Sequence, residues 1–300
     1  MYALRYHEYG GAKVMRLEEA PEPHAGPGQV RIKVTAASVN GIDWKIRAGY
    51  LAQGQPLESP GTLGTDAAGV VDEIGAGVDG VAVGDDVFGI GSGTHAEYAV
   101  LNSWAPKPAS VDWSMAAAAG VSVETAERGL RLLGVKQGST VFIDGGSGGV
   151  GATAVQLAVA AAATVIASAS QDNHDYLREI GATPVLYGDG LVNRVRMMPD
   201  TSINSVFDVA GKSPIADLIA LVGEPSQVLS IANFEATAAG ARVSGGGSDA
   251  QPFVALALGA KLLQDSRLVI KVQTFPFDRA GEAFLISESG HVRGKLVLVP

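Results

Sequence analysis

The sequence contains no cysteine. Disulfides, iron–sulfur clusters and every thiolate-ligated zinc site are thereby excluded by chemistry. Charge is also sparse, at 18% of residues, and acidic side chains outnumber basic ones by 31 to 22, for a formal net charge of -9. A chain of that sign repels polyphosphates at long range and offers no basic stripe to nucleic acid. Nucleic acid is therefore not an expected partner. Long apolar runs are missing too: the nearest approach to the roughly 20 residues that span a bilayer is Ala152 to Ala169, which Gln156 and Thr164 interrupt. The start, Met1 to Leu4 followed by Arg5, lacks the apolar core of a signal peptide. No membrane partner is expected, and the protein is expected to be soluble and cytoplasmic.

What remains is 300 residues that are 47% hydrophobic, enough for two folded domains with sizeable cores. From Met1 to about Val100 the chain shows short β-like runs broken by Gly and Pro: Gln29 to Ala37, Ala68 to Gly75, Asp86 to Gly89 and Ala96 to Val100. This predicts a small β-rich barrel or sandwich. Pro106-Lys107-Pro108 interrupts it, and a helical Ala-rich segment follows from Trp113 to Leu133. From Ser139 to about Val243, β-runs alternate with helical stretches, which predicts a doubly wound parallel sheet with helices on both faces, an α/β fold. Gly245-Gly246-Gly247 marks a loop, followed by helices near Val254 to Leu263 and Asp278 to Glu288 and a last strand, Leu296 to Val299.

One local motif carries chemistry. Val141-Phe142-Ile143-Asp144 reads as a buried strand, and Gly145-Gly146-Ser147-Gly148-Gly149-Val150-Gly151 as a turn into an apolar helix. Gly146, Gly148 and Gly151 occupy the three positions of the dinucleotide fingerprint. There, glycine permits a tight turn, close approach of a pyrophosphate and helix–strand packing. The helix N-terminus adds unpaired N–H groups for the phosphates. At the end of the next strand, where an NAD enzyme places an acid for the ribose 2′-hydroxyl, stand Ser168, Ala169 and Ser170. That leaves room for a 2′-phosphate and favours NADPH, with Ser168, Ser170, Asn173 and His174 as candidate ligands. Asp172 is read as part of the following helix's N-cap region.

The order of further segments resembles the medium-chain dehydrogenase/reductase superfamily, in its zinc-lacking quinone oxidoreductase branch. These are Ser38-Val39-Asn40-Gly41-Ile42-Asp43 with Arg47-Ala48-Gly49, Gly64-Thr65-Asp66-Ala67-Ala68-Gly69, Gly84-Asp85-Asp86-Val87-Phe88-Gly89, and Gly93-Thr94-His95-Ala96-Glu97-Tyr98. Asp208-Val209-Ala210-Gly211 and Gly290-His291-Val292-Arg293-Gly294-Lys295 complete the set. The resemblance implies a GroES-like substrate domain (1–110), a Rossmann domain (111–245) and a return to the substrate domain (246–300). In zinc-dependent relatives a cysteine stands at the position of Asn40 and a His-Glu pair at Thr65-Asp66, so no metal is expected here. What it implies instead is direct hydride transfer from NADPH to a quinone or α,β-unsaturated carbonyl.

Residue by residue, the resemblance implies Asn40, Lys45 and Tyr50 as donors to the acceptor oxygen. It also implies Asn40, Thr125, Ala210, Gly211, Ile231, Ala232 and Lys295 near the cofactor, beside Gly146 to Gly151. A homodimer is implied as well. Hinges are expected at Asn102 to Ala109 and Gly245 to Ser248. An alkenal or enoyl reductase and a non-catalytic NADPH sensor are the alternative functions. Asp43 is read as a structural cap, and His95 and Glu97 as hydrogen-bonded structural residues. His7, His24 and His291 have no metal-binding spacing, and Trp44, Trp104 and Trp113 are read as packing residues.

Overall fold

A computed structural model describes residues 1–199 and 202–300. The chain divides into two compact units, Met1–Val121 with Pro252–Pro300, and Ser122–Gln251.

The first unit opens with β1 (Tyr2–Tyr6), β2 (Met15–Glu19) and β3 (Val30–Val39), followed by α1 (Gly41–Arg47), β4 (Gly61–Thr62), β5 (Asp66–Ile74), β6 (Asp86–Ser92) and β7 (Tyr98–Pro106). In β3 the alternation Val30, Ile32, Val34 is buried, as expected of a strand with one face on a core. Two register shifts against β5 bend it. Bending lets β3 pair with β5 along its length, with β7 through Val30 to Lys33, and with the C-terminal strand through Ala37 to Val39, so that β3, β5, β6 and β7 close on themselves. Val30, Ile32, Val71, Val87, Ala99 and Leu101 fill the interior.

Helix α2 (Trp113–Leu132) leads into the second unit, with β8 (Thr140–Asp144), α3 (Gly149–Ala160), β9 (Thr164–Ala169), α4 (His174–Glu179), β10 (Thr183–Leu186), α5 (Leu191–Arg196), β11 (Ser205–Asp208), α6 (Ile215–Val222), β12 (Val228–Ser230) and β13 (Arg242–Val243). Its six strands are all parallel, in the order β10-β9-β8-β11-β12-β13. This is the doubly wound arrangement the alternating β-runs predict, and its strand order reverses between β8 and β11, the place where such sheets bind ligands.

The chain then returns to the first unit through α7 (Pro252–Gln264), β14 (Val272–Pro276), α8 (Ala280–Ser289) and β15 (Lys295–Val299), where β15 pairs antiparallel with β3. One expected hinge needs correction: Asn102 to Pro106 belong to β7, and Ser103 to Pro106 lie in register against β6. Ladder hydrogen bonds fix that backbone. Among the described residues, no helix is long and apolar enough to cross a membrane.

Candidate active site

In the parallel unit, Gly145 through Gly151 form the turn from β8 into α3, whose N-cap is Gly148. The glycines serve different ends. A Cβ on Gly151 would stand 2.1 Å from the Gly145 carbonyl oxygen, and one on Gly146 would stand 2.6 Å from Ala167 Cβ. Those two are glycine because protein lies against them. A Cβ on Gly148 would meet nothing nearer than 3.7 Å, and its φ of -76° suits any residue. Its bareness therefore serves something outside the fold. The first-turn amides of α3 beside it have no intrahelical acceptor. Ser147, Gly149 and Val150 are half-buried there. This cradle fits a dinucleotide pyrophosphate.

Around it, the carboxyl ends of four adjacent strands carry a buried polar row: Ser168, Asp144, Asp208 and Ser230. Ser168 Oγ donates to Asp144 Oδ1 and accepts from the Gly145 amide at 2.9 Å. Asp208 Oδ1 accepts from the amides of Ala210 and Gly211 at 3.1 and 2.7 Å, and its Oδ2 accepts from Ser230 Oγ at 2.7 Å. Ser230 Oγ in turn accepts from the amides of Ala232 and Asn233. Burial pushes the Asp144 carboxyl above its ordinary range, and the charge of Asp208 adds to the effect. The row ties the 145, 210 and 232 turns to the sheet.

Ser168 is thus 1% exposed, with its hydroxyl engaged inside the fold. This corrects its expected place among the open 2′-phosphate ligands. Ser170 and Asn173 are half-buried and bonded to each other, whereas Asp172 is exposed on the short turn Gln171–Asn173. His174 is buried, and its Nε2 has no partner. Thr125 Oγ1 bonds Glu124, whose carboxylate also holds Arg128 at 2.8 Å. Arg128 reaches Ser244 Oγ at 2.7 Å, and Ser244 Oγ donates to Asp249. The expected hinge at Gly245 to Ser248 is therefore held at both ends.

In the barrel unit the functional residues converge differently. Lys295, 4% exposed, donates to Asn40 Oδ1 at 2.5 Å. Asn40 Nδ2 donates to Asp66 Oδ1 at 2.7 Å and Thr65 Oγ1 at 3.1 Å, and lies 3.3 Å from Ser38 Oγ. Asp66 also accepts from Ser38 Oγ and the Val121 amide. The side-chain N–H groups of Asn40 are therefore engaged by protein, and its oxygen accepts from Lys295. Asn40, expected as a donor to the acceptor oxygen, has both side-chain N–H groups turned toward protein. The Lys295 side chain thus stands beside Asn40, whose amide holds Thr65 and Asp66. No tetrahedral donor set can be drawn from them.

Asp43 and Arg47 point inward from α1, both 1% exposed. Lys45, two positions from each, is turned about 200° away at about 100° per residue. It packs on Trp44, as does Tyr50, which is 68% exposed. Of the three expected donors Asn40 joins the Lys295 cluster, Lys45 is turned off it by helical periodicity, and Tyr50 lies against Trp44.

Asp43 Oδ2 accepts from the Asn40 amide at 2.7 Å, and Oδ1 from Thr65 Oγ1 at 3.2 Å. Burial, helped by the charge of Asp66 and opposed by the Asn40 amide and Lys295, pushes its carboxyl up to about 7. His95, fully buried, lies with Nε2 2.9 Å from the Ser38 carbonyl, so Nε2 carries the hydrogen. Burial holds its pKa down to about 4. The unfolded chain takes up this proton near pH 6.5 and the folded one only near 4. Stability from neutral His95 is therefore whole above pH 6.5 and is lost as pH falls toward 4. His95→Gln is expected to flatten the fall in urea-unfolding free energy between those values; an unchanged slope would assign it to other groups.

Comparison with known proteins agrees with both halves. Residues 26–109 match the alcohol dehydrogenase GroES-like domain, and residues 149–245 match the family described as zinc-binding dehydrogenase. The chain is 31% identical to an NADPH-dependent alkenal/one oxidoreductase of Arabidopsis thaliana, over 100% of this chain and 80% of that protein. It is 30% identical to a chloroplast envelope quinone oxidoreductase homolog from the same plant, over 100% of this chain and 98% of that protein. The solved quinone oxidoreductase of Coxiella burnetii superposes with a TM-score of 0.86 at 31% identity, covering 100% of this chain and 99% of that one.

Proposed function

Because the chain belongs to the medium-chain dehydrogenase/reductase superfamily, in its quinone oxidoreductase-like branch, we propose that it is an NADPH-dependent reductase of quinones and α,β-unsaturated carbonyls. The observation that carries the reading is the bare N-cap at Gly148, a glycine the fold does not require. The relatives named above as an alkenal/one oxidoreductase and a quinone oxidoreductase homolog support the substrate class.

Bound NADPH supplies the hydride. The chain's own part begins with the amides of Ser147 to Gly151, which would hold the pyrophosphate. Ser170, Asn173 and His174 would take the 2′-phosphate, since the acids of that turn, Asp172 and Asp175, are exposed and Asp144 is tied to Ser168. The 145, 210 and 232 turns, fixed by the polar row, would keep the dinucleotide in one pose. An acceptor that is already electrophilic needs chiefly placement and exclusion of water. We include the homodimer and the cytoplasmic location in this proposal.

The test is oxidation of NADPH and NADH by the purified protein with a panel of quinones and enones. Faster turnover with NADPH is expected. Tight NADPH binding with no turnover on any acceptor would replace the enzyme reading with a sensor, and equal rates with NADH would overturn the 2′-phosphate ligands.

A further inference from the structure

At the carboxyl edge of the parallel sheet, Asp144 and Asp208 end the adjacent strands β8 and β11 and are register partners. Parallel strands lie about 4.8 Å apart, so two carboxyl groups, 2% and 0% exposed, share one buried place. Their surroundings are unequal. Asp208 has three donors on its two oxygens, the amides of Ala210 and Gly211 and the hydroxyl of Ser230. Asp144 has Ser168 Oγ on Oδ1, while no atom of the described residues stands within hydrogen-bond distance of its Oδ2. A charge on Asp208 is supported, whereas a charge on Asp144 leaves a bare anionic oxygen in the interior.

Of the elements packed against β8, strand β9 and helix α3 contain no ionisable residue. Asp208 is the charged group that faces Asp144. From the loop after β11, Ser213 faces it with hydroxyl and amide, which favour the charged form, and the neighbouring Lys212 is exposed. Burial first, and then the charge of Asp208, outweigh Ser168 and Ser213 and hold the carboxyl above its ordinary range. The next residue, Gly145, opens the turn that forms the pyrophosphate cradle.

A pyrophosphate carries two negative charges, and an added anion disfavours a carboxylate against its neutral acid. We propose that Asp144 binds a proton as the dinucleotide binds, so that cofactor capture is coupled to proton uptake at the sheet edge. The inference rests on the cradle of the reductase reading above. In the step, a proton from solvent forms an O–H bond on Asp144 Oδ2, the oxygen without a donor, and no electrons are exchanged. Ser168 keeps its bond to Oδ1, and with it the bond from the Gly145 amide. The turn thereby loses a neighbouring negative charge as a polyanion arrives. The free protein gives up this proton at a lower pH than the complex does. Between the two titrations the Kd for a dinucleotide rises about tenfold per pH unit, and below both it is level.

The coupling is common to NADH and NADPH, which share the pyrophosphate. A proton on the 2′-phosphate or on His174 would follow NADPH alone. Calorimetric titration with each dinucleotide, in two buffers of unlike ionisation enthalpy and at a series of pH values, counts the protons taken up. Uptake approaching about one proton is expected with both. In Asp144→Asn the uptake with NADH is expected to vanish, leaving a Kd that no longer climbs with pH. Infrared difference spectra of the wild type should also gain a protonated-carboxyl band on addition of NADH, a readout independent of whether the variant folds. Heats with NADH that do not depend on the buffer, uptake with NADPH alone, or the same uptake in Asp144→Asn would overturn the coupling and leave the reductase reading intact. Proton uptake without turnover on any quinone or enone would keep the coupling and overturn the reductase. A protein that binds neither dinucleotide would overturn both.

Discussion

Gly148→Ala raises the Kd for NADPH by on the order of a hundredfold, about 2.7 kcal/mol, and leaves the melting temperature unchanged. The added methyl meets no protein atom within 3.7 Å and requires no unusual backbone angle, so the fold has no reason to notice it. It projects from the helix N-cap into the place where a pyrophosphate would contact the backbone, and contact there is lost. Gly151→Ala is the opposite case. Its methyl would press on the Gly145 carbonyl at 2.1 Å, so α3 and the turn must separate, destabilising the protein by about 1–3 kcal/mol as other overpacked sites do. Fluorescence titration with NADPH beside thermal unfolding separates the two. If Gly148→Ala binds NADPH as the wild type does, the cradle is not where the cofactor sits.

Lys295→Met is expected to cost about 3–5 kcal/mol of unfolding free energy, the usual penalty for stripping one partner from a buried ionic group. The methionine fills the volume but leaves Asn40 Oδ1 without its donor and removes the positive charge beside Asp66 and Asp43. Asp43, no longer held down by that charge, should titrate above its wild-type value. Adding Asp66→Asn should return part of the loss, because the stranded carboxylate is then neutral. Urea unfolding of the single and double variants measures both terms, and a cost below about 1 kcal/mol would mean that the ammonium only fills space.

The fold was legible because its signals are local and periodic. The alternating β-runs and helices of the parallel unit follow the burial rule directly, and the glycine turn lies between strand and helix as expected. Strands β1, β2 and β14 were missed for the opposite reason. In β2 Arg16, Leu17 and Glu19 are exposed, so its short apolar alternation of Met15 and Leu17 marks no buried face.

The site was less legible than the fold. Asn40 and Lys295 stand out in the sequence, but nothing in it says that positions 255 apart would bond to each other. Asp144 and Asp208 do carry a signal in the sequence. Each is an acid closing an apolar run, Val141-Phe142-Ile143 and Val206-Phe207, where burial leaves a carboxylate few reasons to stand. Thr65, adjacent in sequence to Asp66 and remote from Asp43, gives no such hint.

The polar row at the carboxyl edge of the parallel sheet also bears on the thermodynamics of cofactor capture. Fixing the backbone of a free loop costs about 1–2 kcal/mol per residue, and a site assembled from slack turns must meet that cost each time a ligand arrives. Here the amides of Gly145, Ala210, Gly211, Ala232 and Asn233 are already anchored by Ser168, Asp208 and Ser230. Folding has met the cost in advance. A dinucleotide entering such preorganised turns surrenders chiefly its own freedom, so ligand stiffness, more than loop ordering, should govern how tightly different dinucleotides are held.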